Sequence, residues 1–87
     1  MHTVRVASPL RTYTAGAAQV RADGSTVAGV LSDLERAHPG MRFRMIDEQD
    51  RMRAHMRFFV NGTQVSNLHH RLRPEDEVQI VQALSGG

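Results

Sequence analysis

The sequence predicts an α+β fold, a mixed sheet with one main helix packed on one face. Val27, Val30, Leu31 and Leu34 recur at i, i+3, i+4 and i+7, the apolar stripe of an amphipathic helix. Around that stripe, Val4 and Val6 alternate with Thr3 and Arg5 at the period of a strand, and Met56, Phe58 and Val60 point one way in a strand with His55, Arg57 and Phe59 pointing the other. Asn61-Gly62 is the dipeptide that two-residue hairpin turns favour, because both central residues need a positive φ.

The elements follow in chain order. Val4 and Val6 alternate with Thr3, Arg5 and Ala7 in a first strand, and Pro9 ends regular pairing because it has no N–H to give. Thr14-Ala15-Gly16 supplies a turn. Ala18 and Val20 alternate with Gln19 and Arg21 in a second strand, so the two form a hairpin with a long loop. Asp23-Gly24-Ser25-Thr26 turns into the helix, where Ser25 or Thr26 can cap free N–H groups. The helix is expected from about Thr26 to about Ala37, stopped after His38 by Pro39-Gly40. Met41 to Arg53 reads as irregular, with a short strand near Arg42 to Ile46. His55 to Val60 is a strand, Thr63-Gln64-Val65 returns from the Asn61-Gly62 turn, and Leu68 and Leu72 are expected to be buried in a loop. Arg73-Pro74-Glu75-Asp76 turns into a last strand holding Val78, Ile80 and Val81. The expected core is Val4, Val6, Val20, Val27, Val30, Leu31, Leu34, Phe58, Val60 and Ile80.

The order is β-β-α-β-β-β, without an internal repeat. If the first and last strands pair centrally and in parallel, the connection between them can hold the helix. That arrangement is the β-grasp, or ubiquitin-like, fold. With 87 residues the chain is one small domain. The expected division is a β-grasp domain over 1–84 and a flexible Ser-Gly-Gly tail over 85–87.

Composition narrows the function. The chain has no cysteine, so disulfides and Cys-based metal sites are excluded. It has no apolar run near the ~18 residues of a membrane span and no secretion-type N-terminus, so a cytoplasmic location without membrane partners is expected. All eleven basic residues are Arg, yet the net charge is only +2. Nine acidic residues are interspersed with them, which describes a solvated face better than a phosphate-binding stripe. No nucleic-acid partner is expected. Without Lys the chain offers no side-chain acceptor for an isopeptide bond. The five His fall in no spacing typical of a metal site; His69 and His70 point apart in an extended chain. Asp47, Glu48, Asp50, Glu75, Asp76 and Glu77 read as solvated turn carboxylates, since no nucleophile or cleft accompanies them.

The chain ends in Leu84-Ser85-Gly86-Gly87. Diglycine builds no core and accepts any backbone torsion, so it suits threading a free carboxylate into a narrow active site; the plain alternative is a frayed terminus. With this tail the chain resembles the ubiquitin-like sulfur carriers related to ThiS and MoaD over nearly its whole length. The resemblance rests on Leu10-Arg11 and Tyr13-Thr14, Gly24-Ser25-Thr26-Val27, Phe59-Val60-Asn61-Gly62, Leu72 through Val78, and the terminal Ser85-Gly86-Gly87. Asp47-Glu48-Gln49 followed by Arg53-Ala54-His55 and Val60-Asn61-Gly62 is most similar to the branch of cysteine-synthesis and other MoaD-like carriers. Two departures stand out: Glu75-Asp76 where the family commonly has Gly-Asp, and Gln82-Ala83-Leu84 in place of a Pro-rich approach to the tail.

The resemblance implies that the chain is no enzyme but a protein co-substrate with no bound cofactor. An E1-like adenylating enzyme, using ATP and Mg²⁺, would activate the Gly87 carboxylate. A sulfur donor would convert it to a thiocarboxylate, and a downstream biosynthetic enzyme would accept the sulfur. The product could be a cofactor such as molybdopterin or thiamine, cysteine, or another thio-metabolite. Gly86 and Ser85 would serve tail recognition. Val78 and Ile80 are expected to face the helix, leaving Phe59, Val81 and Leu84 as an exposed apolar docking patch. Phe59 packed under the Met41–Arg53 segment is the competing placement. Two other functions share these features: a ubiquitin-like modifier that forms isopeptide bonds, and a non-covalent β-grasp interaction module.

Overall fold

The computed structural model describes residues 1–83. Strands β1 (His2–Arg5), β2 (Gln19–Ala22), β3 (Met56–Val60), β4 (Thr63–Val65) and β5 (Val78–Gln82) form one five-stranded sheet in the order β2-β1-β5-β3-β4. The first and last strands lie side by side at its centre and run parallel, with Val4 opposite Val78 and Arg5 opposite Gln79. All other pairings are antiparallel. This is the β-grasp arrangement expected from the sequence.

Helix α1 (Val27–Ala37) buries its stripe of Val27, Val30, Leu31 and Leu34 against the sheet. Thr26 caps it, its Oγ1 accepting from the Gly29 N–H at 3.0 Å. Val4, Phe58, Val78 and Ile80 meet the helix from the sheet side and are essentially excluded from water. Asn61 and Gly62 take φ of 49° and 85°, the two positive values of a type I′ turn, and join β3 to β4.

Several expectations need correction. Leu68 and Leu72, expected to be buried, are only partly buried against the core. The segment after Pro39-Gly40 contains no strand over Arg42 to Ile46; it forms a second short helix, α2 (Met41–Met45). Its Met41 and Met45 are four residues apart and fully buried. Glu35 of α1 caps it, one carboxylate oxygen accepting from Gly40 N–H at 2.8 Å and the other from Arg42 N–H at 2.9 Å. Val20 is only partly buried, because β2 is an edge strand; Ala22 takes the fully buried place on it, and Ala18 is exposed outside the strand. The long loop after Pro9 is a 3₁₀ segment, Ser8–Thr14, which inserts Leu10 into the core.

Candidate functional site

The central strand β5 carries the chain toward its C-terminus, so the site is built around the residues that flank its end. Because β1 and β5 are parallel, that end lies beside the end of β1 and the start of β3. Gln82 is opposite Met56, and the Ala83 N–H donates to the His55 carbonyl at 2.7 Å. Leu84, Ser85, Gly86 and Gly87, which carry the expected tail and one docking residue, lie outside the described residues.

The face of the sheet away from α1 is polar and cationic. Residue alternation places Thr3 and Arg5 of β1, Gln19 and Arg21 of β2, Arg57 and Phe59 of β3, and Gln79 and Val81 of β5 on it. Phe59 stands opposite Gln79 and Gln64, and Val81 opposite Arg57, so the two expected docking residues are diagonal neighbours on one face. Both are half-buried, and neither packs against the core cluster that holds Met41 and Met45. Beside them a shallow groove of about 540 Å³ runs between the ends of β1 and β5, lined by Ala7, Pro9, Arg11, Gln19, Gln79 and Val81.

On the other flank of the exit lies a feature that the sequence reading missed. Phe43 of α2 is 57% exposed. The Arg53 guanidinium sits 4.6 Å from its ring centroid, and Arg53 Nε donates to the Phe43 carbonyl at 2.7 Å. With Arg44 and His55 these residues line a small concavity of about 250 Å³. The signal was available. Met41 and Met45 at i, i+4 mark a helical turn, and residue 43, two positions on, falls on its far side.

The acidic groups serve the backbone. The Asp76 carboxylate accepts from the Arg73 N–H and from Asn61 Nδ2, and these bonds hold it below the ordinary value of 3.8. Glu35 is lowered by the Gly40 and Arg42 N–H groups that it caps. Asp47 is lowered chiefly by the Arg51 N–H, and Asp33 by the Asp23 N–H and then by Arg36. Each is an ionised acceptor already engaged in a turn or cap, which is the opposite of a carboxyl poised to transfer protons. Among the described residues no three His, Asp or Glu side chains gather as a metal site, and no helix is long and apolar enough to cross a membrane. A larger concavity of about 790 Å³, lined by His2, Asp23, Gly24, Asp33 and Arg36 among others, opens at the opposite end of the β1–β5 pair. None of the exit residues lines it.

The comparisons agree with this geometry. The sequence pattern of the ThiS family matches residues 4–87. The sulfur carrier protein CysO of Mycobacterium tuberculosis is 32% identical over 98% of this chain and 97% of its own length. Its crystal structure superposes with a TM-score of 0.91 at 29% identity, covering 97% of this chain and all of that one. The crystal structure of the BexX/CysO complex of Amycolatopsis orientalis contains a chain that matches with a TM-score of 0.92 at 30% identity, over the full length of both. SAMP1 of Haloferax volcanii follows at 0.78 and 26%, covering 99% and 98%. A β-grasp body whose central strand leads to Ser85-Gly86-Gly87, matched from end to end by such proteins, fixes the assignment: the chain belongs to the ThiS family of ubiquitin-like sulfur carriers.

Proposed function

We propose that Gly87 is the working group of this carrier, within a domain 1–84 that presents a short 85–87 tail. The observation that carries the reading is the terminal Ser85-Gly86-Gly87, to which the family match extends, placed directly after the central strand β5. The Gly87 carboxylate is a poor acylating agent as it stands. An E1-like enzyme, using ATP and Mg²⁺, directs it onto the α-phosphate; pyrophosphate leaves and an acyl adenylate forms. Sulfide then attacks the acyl carbon, AMP departs, and the terminus becomes a thiocarboxylate. Where the donor is a persulfide, AMP departs to leave an acyl disulfide, and a second thiol cleaves its S–S bond, releasing the thiocarboxylate and forming a disulfide with the donor. That nucleophile delivers sulfur to a biosynthetic acceptor in the cytoplasm.

Ser85 and Gly86 serve this chemistry by their small size. A Cβ at Gly86 would widen the tail where a constriction must admit it. Ordering the tail costs roughly 1–2 kcal/mol per residue, which contacts of the folded body must offset. Phe59, Val81 and Leu84 are the proposed apolar docking residues. Assembly with a folded protein partner is in keeping with the BexX complex of the Amycolatopsis relative.

Intact mass spectrometry tests the reading. Incubation with the cognate E1-like enzyme, ATP and a sulfur source should exchange one carboxyl oxygen for sulfur, in a chain with no cysteine to complicate the assay. Deleting Gly87, or Gly86→Trp, should abolish the exchange and leave the melting curve unchanged. Lys-linked conjugates on other proteins without a sulfurated product would replace the carrier by a modifier. Unaltered partner binding by both variants, without adenylation of the wild type, would leave an interaction module.

A further inference from the structure

We propose that Phe43, Arg44, Arg53 and His55 form a second docking element, a cationic and aromatic rim that meets an acidic protein surface at the mouth of the channel receiving the tail. The inference rests on the reading of Gly87 as the activated group. It concerns a different face from Phe59 and Val81.

Reach is the first argument. Four residues follow Ala83, and even fully extended they span about 14 Å at most. A partner that buries the Gly87 carboxylate must therefore bring its own surface against the residues around Ala83. Those residues include His55, whose carbonyl holds the Ala83 N–H at 2.7 Å, and the concavity that His55 shares with Phe43, Arg44 and Arg53. The rim adjoins that exit.

Charge gives the chemistry of the occupant. Arg5, Arg36 and Arg42 each pair with a carboxylate, at 3.1, 2.6 and 2.9 Å. Arg44, Arg53 and Arg57, like Arg11, Arg51, Arg71 and Arg73, form no ion pair among the described residues; these three are the ones that flank the exit. The acids closest in sequence are engaged elsewhere: Asp47 accepts from the Gln49 and Arg51 N–H groups, and Asp50 pairs with Arg42. An approaching acidic surface meets cations with no intramolecular carboxylate to displace.

Preorganisation is the third argument. Arg53 is fixed twice, by its bond to the Phe43 carbonyl and by its place over the Phe43 ring. The exposed ring and the guanidinium are thus held together before any partner arrives, and the ordering cost at the interface falls accordingly. Phe43 and Met1 are the large apolar side chains left most open to water in the described residues, and Met1 is at the far end of the sheet.

The test is carrier-dependent ATP–pyrophosphate exchange by the E1-like enzyme of the chain's own genome. The Arg44→Glu/Arg53→Glu variant should raise the half-saturating carrier concentration about tenfold at low salt, with the maximal rate unchanged. Raising the salt to about 0.5 M should bring wild type and variant together. Phe43→Ala should weaken docking without altering the salt dependence. Arg71→Glu, an exposed reversal beside Thr26 at the other end of the molecule, should behave as wild type. Because Arg53 also braces α2, Arg44→Glu alone, in a variant with a wild-type melting curve, should shift half-saturation in the same direction. Half-saturation within about twofold of wild type for the folded double variant would overturn the rim. So would capture of a single-stranded RNA oligomer as tight as that of the enzyme, which would make the patch a polyanion site. Absence of exchange with the wild-type chain removes the Gly87 reading itself, and is seen before any variant is made.

Discussion

The two ends of the central β1–β5 pair differ in how their polar groups are engaged. At the end far from the tail, polar groups are knotted together. The buried His2 ring places Nδ1 2.8 Å from the Asp76 carbonyl and Nε2 2.8 Å from that of Gly24. The start of α1 is laced to the 68–72 segment by Val27 N–H to His70 O, Ala28 N–H to Leu68 O and Leu72 N–H to Ser25 O. At the tail end, among the described residues, the Ala83 N–H donates to the His55 carbonyl, and Arg44, Arg53 and Arg57 stand without ion pairs. Buried polar groups are tied together at the far end, where Arg71 and Arg73 are nevertheless also without ion pairs among the described residues, while the exposed Phe43–Arg53 stack lies where the tail departs. The separation predicts that changes at one end leave the other intact.

Gly24→Ala is the strongest way to break the closed end. A Cβ there would lie 2.5 Å from the Val30 nitrogen and 2.7 Å from the Gly29 carbonyl carbon, both backbone atoms that cannot swing aside. The expected loss is roughly 2–4 kcal/mol in urea unfolding. Sulfuration of the variant that remains folded should proceed as in wild type. A loss below about 0.5 kcal/mol would show that this end gives way more easily than the contact geometry requires.

Acid sharpens the comparison, because the lowered carboxylates are shared between the closed end and α2. Asp76 and Asp33 brace the former; Glu35 caps the latter, and Asp47 braces the turn that follows it. A carboxyl lowered on folding contributes stability that is complete above its unfolded value and is lost as pH falls through its folded one. The unfolded values are 3.8 for Asp and 4.5 for Glu, so the melting temperature should be level from neutrality to about pH 5 and fall below it. Asp76→Asn should flatten the acid limb and lower the neutral plateau, as one acceptor oxygen is replaced by a donor. Glu35→Gln should do the same while changing amide exchange chiefly in α2. A melting temperature that rises on acidification would contradict these assignments.

What could be read without coordinates follows from how local each signal is. The α1 stripe, its Thr26 cap and the Asn61-Gly62 turn are set by residues a few positions apart, and all stand as expected. The parallel β1–β5 pairing was accessible only through the order of elements. Helix α2 was misread because its defining cap comes from Glu35, in the preceding helix, and because four Arg and three Met in the 41–53 segment obscure its i, i+4 pair. Val20 was overrated because alternation marks which face a residue occupies, not whether its strand lies at an edge. The Phe43–Arg53 stack joins residues ten apart across a turn, a distance no periodicity reports. At the tail, Ser85-Gly86-Gly87 pointed to the family that the match over residues 4–87 shows.

The smallest effect is expected at Glu75, one of the places where this chain departs from the family pattern. Its φ is 69°, the left-handed region that a side chain resists and glycine does not. The departure is offset by little: Glu75 reaches the N-terminal amine and Arg21 only at 3.5 Å, with its side chain 69% exposed. Such exposed pairs contribute about 0–1 kcal/mol and are screened by salt. Glu75→Gly removes roughly 1 kcal/mol of backbone strain, but glycine also frees the unfolded chain, so the net change should stay within about 0.5 kcal/mol of wild type. Glu75→Ala loses the same pairs and keeps the strain. The informative quantity is therefore the difference between the two variants in high salt, with Gly more stable than Ala by about 0.5–1 kcal/mol. Equal stabilities would mean that the turn relaxes away from positive φ when the acid is removed, and that the weak pairs, not the backbone, hold Glu75 in place. That outcome would make the closed end less rigid than its hydrogen bonds suggest, and would narrow the contrast with the tail end from the side where it is now sharpest.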